Sequence, residues 1–117
     1  MSLELKYYKE LGVLKIKILF LQKREVEIED VLSSNFDKNI IIDITHLDIN
    51  CINCTLLAEI LTTITVKYRL RGTQKIIILG KRKNLLDSQI SKTGLTLVWA
   101  NDFQTALEII KNFQKPI

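Results

Sequence analysis

The stretch Asn39-Ile40-Ile41-Ile42-Asp43-Ile44 decides the fold. Ile40 to Ile44 is apolar at every position except Asp43, the mark of a strand covered on both faces. A second run of the same kind, Lys75 to Leu79, ends at Gly80, which lets the chain turn. Between the two lies a helical pattern. Leu56, Leu57, Ile60, Leu61, Ile64 and Tyr68 recur at helical offsets, and Asn53 or Thr55 is suited to cap the start. Leu47, Ile49 and Ile52 carry the apolar character through a tight connection, and Gly72 ends the helical region.

On the N-terminal side, Leu3, Leu5 and Tyr7 alternate with Glu4, Lys6 and Tyr8, which predicts a strand with one buried face. Gly12 marks a turn. Leu14, Ile16, Ile18 and Phe20 then alternate with Lys15 and Lys17, giving a hairpin. Residues 25–36 read as a helix, with Ile28, Val31, Leu32 and Phe36 on one stripe. Strand-like alternation over Glu25–Glu29 is the competing reading.

Beyond Gly80, a short helix is expected over Asn84–Ser91, with Leu85, Leu86 and Ile90 inward and Thr93-Gly94 as its stop. Leu95, Leu97 and Trp99 form a last strand. Asp102 then caps a terminal helix carrying Phe103, Ala106, Leu107, Ile110 and Phe113, with Lys111 and Lys115 toward its negative end. The order β-β-α-β-α-β-α-β-α is that of an α/β domain. Its sheet should be mixed, with helices mainly on one side and right-handed parallel crossovers between the later strands.

The 117 residues are expected to form one domain, 1–117. A hydrophobic share of 47% allows a real core, and four Gly with one Pro leave no linker-like stretch. The apolar runs are strand-sized, well short of the roughly 20 residues of a membrane span. Glu4, Lys6, Lys9 and Glu10 interrupt any signal-peptide core, so a cytoplasmic location is expected.

Cys51-Ile52-Asn53-Cys54 has the spacing of a redox dithiol or half a zinc site. Zinc would need two further ligands, and only His46 and carboxylates are at hand. Two small, mostly buried thiols are the favoured reading, with no metal, no cofactor and no obligatory disulfide. Charge is segregated along the chain. From Glu25 to Glu59 eight acidic residues face one base, a net of −7, whereas Lys67 to Lys83 holds seven bases and no acid. Only Tyr68 lies among those bases, so a stacking platform for nucleic acid is not expected. A solvated face or a docking surface for an acidic protein is favoured, with charge steering the encounter.

The chain resembles the STAS domain family, which includes bacterial anti-sigma factor antagonists and small stressosome scaffold proteins. The resemblance covers nearly the whole length. It rests on Ile41-Ile42-Asp43-Ile44-Thr45-His46-Leu47-Asp48-Ile49, on Lys92-Thr93-Gly94-Leu95 before the last strand, and on Asp102-Phe103-Gln104-Thr105-Ala106-Leu107. It implies a non-catalytic interaction module in transcription regulation or signalling, whose partner is a kinase-like anti-sigma factor. In many members that partner phosphorylates a serine in an Asp-Ser-Ser-Gly loop. Here those positions fall at Cys51, Ile52, Asn53 and Cys54, and none is kept. The serine switch is therefore not expected.

The partner-binding set implied is Asn50, Cys51, Ile52, Asn53, Cys54, Thr55 and Glu59. Thr55 is the nearest hydroxyl, read as a cap ahead of a phosphosite. The alternative is a small STAS subunit binding the ATPase of an ABC-type lipid transport complex, without inserting into the membrane itself. A homodimer stays open.

No enzyme is expected. His46 is the only histidine, and a pairing with Cys51 is less favoured than a plain surface position. Gly80-Lys81 lacks the flanking residues of a phosphate-binding loop.

Overall fold

The computed structural model describes residues 3–19, 39–47, 55–59, 76–81, 84–91 and 98–114. The alternating N-terminal segment forms the expected hairpin. Strand β1 (Leu3–Tyr8) pairs antiparallel with β2 (Val13–Ile18), Leu3 opposite Ile18 and Tyr8 opposite Val13. The turn is a 3-10 segment, Lys9–Leu11, closed by Gly12 at φ 63°, whose N–H donates to the Lys9 carbonyl. That left-handed conformation favours glycine.

Three parallel strands extend the sheet. They are β3 (Asn39–Asp43), β4 (Ile76–Leu79) and β5 (Trp99–Ala100), in the spatial order β1-β2-β3-β4-β5. Leu14 lies opposite Ile40, Ile42 opposite Ile78, and Ile78 opposite Trp99. Both isoleucine-rich runs thus sit inside the sheet, as their doubly apolar character requires. Three helical segments accompany it: α1 (residues 55–59), α2 (Asn84–Ser91) and α3 (Phe103–Gln114).

Because side chains alternate along a strand, the five strands present two faces. On the first, Leu14, Ile16, Ile18, Ile40, Ile42 and Ile78 pack with Leu57 and Ala58 of α1 and Leu86 of α2. On the second, Val13, Ile41, Ile77, Leu79 and Ala100 pack with Ala106 and Ile110 of α3. Helices α1 and α2 therefore cover one face and α3 the other. Full burial of side chains this size contributes about 1.5–3 kcal/mol each. Trp99 Nε1 donates to Asp87 Oδ1 at 2.8 Å and fastens β5 to α2.

Strand β1 departs from the expected single buried face. Leu3 is buried, but Leu5 and Tyr7 are 45% and 48% exposed. The register places both on the first face, opposite Ile16 and Leu14. The cluster that α1 and α2 form on that face takes in Leu3 of β1 but neither Leu5 nor Tyr7. The last strand is described in part. Its described part is Trp99–Ala100, while Leu95 and Leu97 lie outside the described residues. The helix expected over 25–36 lies outside them too.

Candidate functional site

The chain leaves β3 at Asp43, on a carboxylate that is buried. Its Oδ1 accepts the backbone N–H of Thr45 at 2.9 Å and the Thr45 hydroxyl. Lys15 Nζ of the adjacent strand lies 3.5 Å from Oδ2. A carboxylate held on both oxygens keeps the turn in one shape, because releasing it would strand a buried charge. The Ile44 N–H continues the ladder to the Leu79 carbonyl, and the Leu47 N–H closes the turn onto the Ile44 carbonyl. Leu47 is buried, so Thr45 and His46 are left exposed between two anchored residues.

These residues lie at the carboxyl ends of the parallel strands, where open α/β sheets commonly bind ligands. Lys81 after β4 and Asn101 and Asp102 after β5 are also exposed. Asp102 caps α3. Its Oδ1 accepts the Thr105 N–H at 2.7 Å. Hydrogen bonds from the Thr105 backbone and side chain hold its carboxyl below the usual aspartate range.

Of the residues expected to meet a partner, Thr55 and Glu59 are described. Both are exposed on α1, while Leu57 and Ala58 turn inward. Four residues apart, they share one face of the helix. Thr55 is assigned to the helix, while Asn53, the other capping candidate, lies outside the described residues. Asn50, Cys51, Ile52, Asn53 and Cys54 lie outside the described residues.

Among the described residues this edge presents hydrogen-bonding and charged groups, Thr45, His46, Lys81 and Asp102. Thr45 Oγ1 is 3.1 Å from His46 Nδ1, a spacing that suggests a nucleophile beside a base. The hydroxyl, however, donates to Asp43, which directs its proton away from the imidazole. Among the described residues, no group of three or more His, Cys, Asp or Glu is placed to hold a metal ion. No described helix is long and apolar enough to cross a membrane.

Sequence reading missed the clasp between Asp43, Thr45 and Lys15. One signal was present: an acid inside an otherwise apolar strand needs a partner. No protein-family model and no curated protein matches the chain.

Proposed function

We propose that this chain is a non-catalytic protein-interaction module of the STAS type, acting as an anti-sigma factor antagonist or signalling scaffold. The observation that carries the reading is the clasped turn after β3. A buried carboxylate fixes Thr45 and His46 at the sheet's carboxyl edge, and the chain then enters a helix with Thr55 and Glu59 exposed on one face. Such an edge offers a rigid polar surface, so little conformational entropy is lost when a partner docks. The sheet order supports the reading as well, with an antiparallel hairpin leading into three further parallel strands. The serine that a partner kinase phosphorylates in many STAS proteins is replaced here by Ile52 or Asn53, so binding does not depend on that switch.

Affinity capture from the native host tests this, using the full chain and its Glu59→Lys variant. The wild type should retain a kinase-like anti-sigma factor, and the variant should lose most of it. Incubation of that partner with ATP should leave Thr55 unmodified. Capture of the same proteins by both chains would overturn the assignment. Recovery of an ABC-type ATPase would transfer the surface to the transport role.

A further inference from the structure

We propose that β1 is the seam of a two-fold dimer, in which a second copy of this chain pairs antiparallel along the open edge of the sheet. Among the described residues β1 stands at the edge of the sheet. It carries two of the exposed large apolar side chains, Leu5 and Tyr7. An edge of six residues is a template for strand pairing unless something blunts it.

The sequence of β1 says what fits there. Leu3-Glu4-Leu5-Lys6-Tyr7 reads apolar, acidic, apolar, basic, apolar. Antiparallel to itself about an axis through Leu5, this segment is self-complementary. Leu5 meets Leu5 of the second copy, Leu3 meets Tyr7, and Glu4 meets Lys6 on both sides of the axis. The apolar pairs all fall on the first face and the charged pairs all on the second. Sliding the strands by one pleat either way sets Glu4 against Glu4 or Lys6 against Lys6, which is unfavourable. The charges therefore select one register.

The charges within one copy point the same way. Lys6 stands directly opposite Lys15 across its own hairpin, a like-charge pair. Glu4 stands opposite Lys17, with 3.7 Å between the ionic groups. Glu4 of the second copy would place a carboxylate on the open flank of Lys6. An open groove lined by Glu4, Leu5, Lys6, Lys15 and Lys17 borders this seam. The contact is isologous, so it closes at two copies and leaves no β1 edge to propagate. This goes beyond the partner surface proposed above, which lies at the carboxyl ends of the strands.

Sedimentation of the full chain over a concentration series tests the seam. The wild type should be dimeric. Glu4→Lys and Lys6→Glu should each raise the dimer dissociation constant by roughly tenfold or more, since each sets two like-charge pairs across the seam. An equimolar mixture of the two variants should regain dimers. One chain is then basic at both positions and the other acidic at both, so every charged pair across the seam is of opposite sign. Leu5→Lys, which sets like charges on the axis itself, should be monomeric. A wild type that stays monomeric at every concentration overturns the proposal, whether or not another protein covers β1. So does a dimer that withstands both single reversals, or a mixture that remains monomeric.

Discussion

Lys15 reaches from β2 to the carboxylate that ends β3, its Nζ 3.5 Å from Asp43 Oδ2. The Asp43 side chain is only 5% exposed, so its charge is stabilised by this ammonium and by Thr45 in place of water. Asp43→Ala should cost about 2–3 kcal/mol, because it leaves Lys15 and the Thr45 N–H without their acceptor. Asp43→Asn keeps an acceptor and loses the charge, and should cost about half as much. Urea denaturation followed by circular dichroism measures both. An alanine variant within about 0.5 kcal/mol of wild type would show the clasp to be ornamental.

Gly80 has a φ of 156°, and a Cβ placed there would lie 3.0 Å from Ile44 Cγ1. Its N–H also donates to the Ala100 carbonyl at 2.9 Å, so the backbone is not free to move away. Gly80→Ala should destabilise by about 1–3 kcal/mol through strain and crowding together. Adding Ile44→Ala should recover part of that cost, because it removes the crowding and leaves the backbone strain. Strict additivity of the two substitutions would show that they do not touch.

The bond from Trp99 Nε1 to Asp87 joins residues twelve apart and holds β5, only two residues long, against α2. A double-mutant cycle of Trp99→Phe and Asp87→Ala should give a coupling of about 1.5–3 kcal/mol, the range for a hydrogen bond to a charged group. A coupling near zero would mean that packing alone retains β5.

Local and doubly buried features were legible in the sequence. Ile40–Ile44 and Ile76–Leu79 can hardly be anything but inner strands, and Asn84–Ser91 and the Asp102 cap carry their signals within a few residues. What escaped was tertiary. Alternation in Leu3–Tyr7 reveals two faces but not whether a layer lies over either. Leu5 and Tyr7 are exposed because β1 is an edge, a property of strand order. Asp43 was visible as an anomaly, but its clasp needs the register that brings Lys15 beside it. Of the expected partner surface, Thr55 and Glu59 share an exposed helix face, a relation their spacing of four already contained.

Asp102 makes the N-terminus of α3 sensitive to acid. The Thr105 hydrogen bonds favour its charged form, so its carboxyl ionises at a lower pH in the folded protein than in the unfolded chain. The sign follows from linkage. On acidification the unfolded chain takes up the proton first. The cap's full contribution is therefore present above the ordinary aspartate value of about 3.9, and it is lost as pH falls through the lower folded value. Asp102→Asn is the informative variant, because asparagine also caps helices but cannot ionise. At neutral pH it should keep α3 intact yet lack the charge that complements the positive helix end. The stability lead of the wild type should hold from neutrality down to about pH 4 and then shrink as the pH is lowered further. Because Asp102 is exposed, added salt should narrow the lead at neutral pH as well. Denaturation midpoints of the two proteins, measured side by side across that range, decide the matter. A difference that stays constant into strong acid would mean that the Asp102 carboxylate contributes nothing as a charge to holding α3.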